Sequence, residues 1–145
     1  MPIIKKITAP ETHLVRHLVL RRGKPKDSCV FEEDDLESTD HFGLFLKQDL
    51  VGIISLYKKT NVLFSEKSQF QIRGMAILEN HRKKGFGKKL VLYCEKQCAT
   101  KNVNLIWFNA RMEASGFYEK MGYQKTGTPF EISEVGAHIV MFKKI

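Results

Sequence analysis

The 145-residue sequence predicts an α/β protein of the α+β kind, a mixed β-sheet with helices on both sides. Three observations predict it. Two alternating segments, Phe42–Lys47 and Leu50–Tyr57, meet at a tight turn at Gln48-Asp49 and read as a β-hairpin. From Phe70 onward the chain reads strand, basic glycine-containing turn, helix. Val103–Phe108 (VNLIWF) is a nearly continuous apolar run, as expected of a strand covered on both faces.

Taken in order, Ile3 and Ile4 open a first short strand. Thr8-Ala9-Pro10-Glu11 has the form of a capping box with proline in the first turn. Leu14, Val15, Leu18 and Val19 then supply an apolar stripe for a helix to about Arg21. Arg22 to Asp40 is polar, with Gly23, Pro25 and the acidic run Glu32-Glu33-Asp34-Asp35. It reads as a loop with room for a second short helix, and the acidic run reads as a solvated face, with attraction of a cationic amine as the alternative. After the hairpin, Asn61 to Lys67 links to the central strand. There Phe70 and Ile72 set one phase of alternation and Met75 and Ile77 the other, so the period of two slips at Gly74, which predicts a β-bulge. Leu90, Val91, Cys94 and Cys98 recur at spacings of three and four, the apolar face of a long helix from Gly87. Ala110, Ala114, Phe117 and Met121 predict a last helix, stopped by Gly122. Two strands close the chain, near Tyr123–Thr126 and His138–Lys143, separated by a loop through Pro129.

This length corresponds to one domain, residues 1–145, with enough chain to bury a core. No apolar run approaches the roughly 20 residues of a membrane span, and MPIIKKITAP has too few apolar residues for a secretory signal. No membrane partner is expected, and the cytoplasm is the default location. Cys29, Cys94 and Cys98 cannot all pair with one another; they read as buried reduced thiols, and no metal ion is expected. The net charge of +8 asks for an anionic partner, either nucleic acid or an anionic cofactor. Arg82, Lys83, Lys84, Lys88 and Lys89 cluster at the glycine turn, whereas the other cations are scattered without an interleaved aromatic stripe, which favours the cofactor.

The turn itself has a specific chemistry. The first amides of a helix lack intrahelical acceptors, and the aligned peptide dipoles place partial positive charge there. Gly85 and Gly87 let backbone approach a ligand without a Cβ in the way, and the neighbouring cations add charge, so a phosphate fits at the start of this helix. Neither a third glycine at dinucleotide-binding spacing nor a Gly-Lys-Ser/Thr sequence is present.

Arg82, Gly85 and Gly87 fill the three defined positions of Gln/Arg-x-x-Gly-x-Gly/Ala, the pyrophosphate-binding motif of the GNAT family of N-acetyltransferases. The flanking MAILENHRKKGFGKKL resembles that family across the whole strand, turn and helix, and Ala114–Tyr123, AxxFYxKxGY, resembles its C-terminal signature AxxxYxKxGF. Together the matched regions run from Phe70 to Lys125, about half the chain, and identify a small bacterial-type member. The resemblance implies a mostly antiparallel sheet splayed between its fourth and fifth strands, and transfer of an acetyl group from acetyl-CoA to a primary amine by direct attack. The acceptor would be a small molecule or a peptide; a homodimer is compatible with such a fold. The rival reading from another class is a non-catalytic module that binds acyl-CoA or nucleic acid.

On this resemblance the pyrophosphate rests on Arg82, Lys83, Lys84, Gly85, Phe86, Gly87 and Lys88, and the pantetheine arm pairs like an extra strand with Met75, Ala76 and Ile77. The bulge at Gly74 would open room for the arm, and one redirected amide would polarise the thioester carbonyl. Tyr118, at the family's tyrosine position, is the expected acid for the departing thiolate, with Phe117 and Met121 supplying the helix's core contacts. A base is also needed, because an amine of pKa about 10 is protonated at neutral pH. A carboxylate is common on the central strand of this family, but Arg73, flanked by Gln71, occupies that region here. Glu131, Glu134 and His138 are the alternatives, while His41 and His81 read as ordinary polar residues. Arg111 replaces an asparagine often found seven residues before the tyrosine. Asn109 lies just before it and is the expected second cofactor contact, with Arg111 left to touch cofactor or acceptor.

Overall fold

A computed structural model describes all residues, 1–145. Seven strands form one sheet in the order β1-β2-β3-β4-β5-β7-β6: β1 (Pro2–Ile7), β2 (Asp40–Leu46), β3 (Asp49–Lys58), β4 (Gln69–Ile77), β5 (Leu105–Arg111), β6 (Gln124–Ile132) and β7 (Gly136–Lys144). Three α-helices accompany it, α1 (Ala9–Val15), α2 (Phe86–Thr100) and α3 (Ser115–Lys120). The neighbours β1–β2, β2–β3, β5–β7 and β6–β7 are antiparallel, and β4–β5 is parallel. No helix is long and apolar enough to cross a membrane.

The chain divides into two compact units. The first holds Met1–Tyr57 and Ile72–Gln97, the second Lys58–Gln71 and Cys98–Ile145. In the first, Thr8 caps α1 in a full capping box, its hydroxyl accepting from the Glu11 amide while the Glu11 carboxylate accepts from the Thr8 amide. Those bonds hold the exposed Glu11 carboxyl below its ordinary pKa. Leu14 and Leu18 do not form the buried stripe expected of them: they are 69% and 41% exposed. Instead α1 continues into one wide π-helical turn, Arg16–Leu20, which rotates the inward face to Val15, Val19 and Leu20, packed with Ile7, Ile53 and Ala76. On the other face of the sheet Leu90, Val91, Cys94 and Cys98 of α2 are fully buried, as their spacing predicts, and Phe42 stacks edge-on against Tyr93. The β2–β3 turn sits one residue earlier than expected, at Lys47-Gln48, with Lys47 in the left-handed region at φ +56°.

In the second unit Leu105, Trp107 and Val140 form a cluster with Phe64, Phe130 and Phe142. The link before β4 is held by side chains: Gln69 donates to the Phe64 and Glu66 carbonyls and accepts from the Asn61 amide, and Trp107 Nε1 donates to the Lys59 carbonyl. Ala110 lies in β5, so the expected last helix is shorter and starts at Ser115. Gly122, at φ +96°, ends it. The closing strands are longer than expected: the segment through Pro129 is a register shift between Thr126 and Phe130 within a hairpin that turns after Ile132.

Candidate active site

The parallel ladder between β4 and β5 pairs Gln69 with Leu105, Phe70 with Ile106 and Gln71 with Trp107, and stops there. Gly74, three residues on, has φ +64°, a conformation L side chains rarely adopt. A Cβ built there would lie 3.1 Å from Phe31 Cε2. Replacement of Gly74 by alanine is therefore expected to destabilise the fold by about 1–3 kcal/mol, measured by chemical denaturation. Past Gly74 the alternation is not the one expected: Ala76 is the buried residue, and Met75 and Ile77 are half-buried.

The turn after β4 has the geometry that its glycines suggest. Lys83 and Gly85 both take left-handed φ values, +63° and +78°, and a side chain at Gly85 would meet open space, so conformation rather than crowding calls for glycine. The Lys89 amide bonds to the Gly85 carbonyl at 3.2 Å, the first bond of α2; the amides of Phe86, Gly87 and Lys88 ahead of it have no acceptor within the helix. Arg82 Nε donates to the Ile77 carbonyl at 3.4 Å and ties the turn to the end of β4. Lys83, Lys84, Lys88 and Lys89 are exposed around these amides. Three free amides at a positive helix end, ringed by cations, make a cradle for a pyrophosphate, so the residues present fit the coenzyme.

Behind Gly74 lies a group that sequence reasoning missed. Arg16, on the π-turn, has no solvent-exposed surface. Its guanidinium donates to Asp34 at 2.6 and 3.1 Å, to the Cys29 carbonyl at 2.8 Å, to Ser55 Oγ at 3.0 Å and to Tyr57 Oη at 3.3 Å. Tyr57 Oη donates to Asp34 at 2.5 Å. His41 donates from Nε2 to the Asp34 carbonyl and meets Ser55 Oγ through Nδ1 at 2.6 Å. Asp34, 4% exposed, is thus not part of a solvated face, and His41 is a buried member of this network. Burial disfavours ionisation of Asp34, but hydrogen bonds from Arg16, Tyr57 and the Phe31 amide outweigh it and hold the carboxyl below its usual value. Tyr57 is pushed up to about 12, first by burial and then by its bond to Asp34. Phe31 lies over the Arg16 guanidinium at 3.9 Å. Arg16 Nε is the one buried side-chain donor or acceptor with no partner, and it lies on the Gly74 side. The signal for Arg16 was its place in LVRHLVL, a cation directly after Leu14-Val15 with Val19 and Leu20 one turn on.

In the second unit Tyr118 packs its ring against Phe108 at 4.5 Å and lies edge-on to Tyr123 at 6.3 Å. Burial raises its pKa. Its neighbour Phe117 is 41% exposed, which reverses the expected division of labour: Tyr118 carries the core contact and Phe117 faces out. The Tyr118 hydroxyl makes no hydrogen bond in the fold and is not among the buried unsatisfied groups, so it reaches solvent. Asn109 is exposed on β5, opposite Val140. Arg111 reaches Glu113 at 3.9 Å and lines a hollow of about 200 Å³ with Met112, Glu113 and residues 135–137. Glu131 and Glu134 are exposed, whereas His138 is buried and donates from Nδ1 to the Gly136 carbonyl at 2.7 Å. His81 Nδ1 accepts from Lys84 at 3.4 Å.

The chain resembles known proteins over nearly its whole length. It is 35% identical over 142 residues to an uncharacterized N-acetyltransferase, YitI, of Bacillus subtilis, covering 98% of this chain and 95% of that one. Among solved structures, the ribosomal-protein-S18-alanine N-acetyltransferase of Escherichia coli superposes with a TM-score of 0.79 at 14% identity, covering 100% of this chain and 94% of that one. An aminoglycoside 6'-N-acetyltransferase complexed with coenzyme A does so with 0.77 at 16%, covering 98% and 96%. At those identities the superpositions establish the fold alone. The family model for acetyltransferases of the GNAT type matches residues 11–123, and with the relative in Bacillus subtilis it shows that this chain belongs to the acetyltransferase (GNAT) family.

Proposed function

We propose that the protein transfers an acetyl group from acetyl-CoA to a primary amine by direct attack in a ternary complex, with residues 1–145 acting as one catalytic domain in the cytoplasm. The observation that carries the reading is the turn from Arg82 to Lys88, with its left-handed residues and the free amides that open α2. Bound acetyl-CoA supplies an activated thioester carbonyl. Arg82, Lys83, Lys84 and Lys88 hold its pyrophosphate with the amides of Gly85, Phe86 and Gly87. Met75, Ala76 and Ile77, on a stretch of β4 without a β5 partner, hold the pantetheine arm as an added strand, and Asn109 makes a further contact. An amide redirected at Gly74 polarises the carbonyl. The ammonium first gives one proton to water; the free amine then forms its C–N bond as the C–S bond breaks, its second proton leaves to water, and Tyr118 gives a proton to the departing thiolate and regains one from solvent.

Calorimetric titration with acetyl-CoA tests this. The wild type is expected to bind, and Gly87→Glu, which sets a carboxylate against the phosphates at the start of α2, to weaken binding by about 100-fold or more, in keeping with loss of several charge-assisted hydrogen bonds. Folded wild type that fails to bind acetyl-CoA, but binds nucleic acid in a salt-sensitive way, would overturn the reading.

A further inference from the structure

We infer that the acceptor amine also carries a carboxylate, and that Arg73 and Arg21, both packed against Phe31, bind it. The inference rests on the acetyltransferase reading and deepens it. Three guanidinium groups surround the one ring of Phe31: Arg16 at 3.9 Å, Arg21 at 5.0 Å and Arg73 at 5.1 Å from its centre, with Arg73 also 5.5 Å from the Tyr57 ring. A single buried carboxylate, Asp34, stands in this group, and Arg16 and Tyr57 consume it. Neither Arg21 nor Arg73 forms an ion pair; Arg21 donates to the Leu20 carbonyl, and the contacts of Arg73 are the faces of two rings.

Both residues are half-buried, so water hydrates their charge only in part. Since each lies close to the same ring centre, they are within about 10 Å of each other, one Debye length at ordinary salt, and they repel. Like charges gathered without a counter-charge make a site for an anion, and the planar fork of arginine fits a carboxylate. The charge of Arg16 is balanced by Asp34, but its buried, unpartnered Nε adds a hydrogen-bond donor on the Gly74 side. The location is apt: Arg73 immediately precedes Gly74, and the proposed arm-binding residues begin at Met75. An anion held by Arg73 therefore brings the rest of the acceptor to the acetyl end of the coenzyme. Within the acidic run the buried member, Asp34, is already neutralised by Arg16, while Glu32 and Asp35 are exposed to solvent, where their charges are screened.

Matched acceptors test the inference: lysine against cadaverine, phenylalanine against phenethylamine, and O-phosphoethanolamine against ethanolamine, with thiol release as the readout. The carboxylate-bearing member of each of the first two pairs is expected to have at least about tenfold higher kcat/KM, the worth of one charge-assisted hydrogen bond. Arg73→Gln and Arg21→Gln should bring that ratio toward one, with Arg73→Lys restoring part of it, while acetyl-CoA affinity measured by calorimetry stays constant. Equal or better use of the decarboxylated amines, or a ratio that survives both glutamine variants, overturns the inference. Preference confined to O-phosphoethanolamine overturns the carboxylate and reassigns the site to phosphate. If no amine is acetylated, N-acetylphenylalanine is titrated in the presence of coenzyme A. Binding that Arg73→Gln abolishes keeps the anion site and sinks the transfer reading; no binding sinks the anion site, and the acetyl-CoA titration then judges the transfer reading separately.

Discussion

Asp34→Ala is expected to destabilise the protein by about 3–5 kcal/mol, enough to lower the melting temperature by roughly 10 °C. The substitution strands the Arg16 guanidinium in a site with no exposed surface, and it removes the acceptor for the Tyr57 hydroxyl and for the Phe31 amide as well. The penalty is that of an unpaired buried charge and not the net worth of the pair. Arg16→Met combined with Asp34→Leu should accordingly cost less than Asp34→Ala alone, and strictly additive effects would show that the two residues do not act as a unit. The pH dependence has a definite sign. Asp34 is held below its ordinary pKa when folded, so its contribution is present above the unfolded value of about 4 and disappears as the pH falls through the lower, folded one. The difference in stability between wild type and Asp34→Ala should therefore shrink below about pH 4; a difference that grew on acidification would mean that the carboxyl is not ionised in the fold. Loss of the pair also frees Phe31, whose amide Asp34 holds at 2.9 Å, so the same variant should lose preference among acceptors before it loses acetyl-CoA binding.

The parts of this protein that were legible in the sequence are those encoded locally. The face of α2 follows from the spacing of Leu90, Val91, Cys94 and Cys98, and the turn before α2 follows from Gly85, at φ +78°, because backbone conformation at glycine is a property of the residue itself. What was not legible is set by distant partners. Arg16 meets Asp34, Ser55 and Tyr57 across 18, 39 and 41 residues of chain, and a cation among apolar neighbours gives no hint of which carboxylate it will find. The π-turn compounded this by rotating Leu14 and Leu18 out to solvent, against the stripe drawn for a regular helix. The exchange of Phe117 and Tyr118 has a simpler origin. Counting Ala110 as helical places the inward face one residue away from where it falls once α3 begins at Ser115, since neighbours on a helix point about 100° apart.

That exchange bears directly on Tyr118→Phe, which is expected to lower kcat by about 100-fold or more, the usual worth of a positioned general acid, while leaving the KM for acetyl-CoA within about twofold. The ring, held by Phe108 and Tyr123, is retained by phenylalanine, and the hydroxyl that is lost makes no hydrogen bond within the fold. The melting temperature should move by no more than about 2 °C, well under 1 kcal/mol, so a rate loss cannot be ascribed to unfolding. Burial lifts the tyrosine pKa, and an acid with a raised pKa keeps its proton longer as the pH rises. The alkaline fall in kcat attributable to Tyr118 should therefore lie above pH 10, and the phenylalanine variant should lose that limb altogether. A variant that retains full kcat, or that keeps the wild-type alkaline limb, would reduce Tyr118 to a packing residue and return the protonation of the thiolate to solvent.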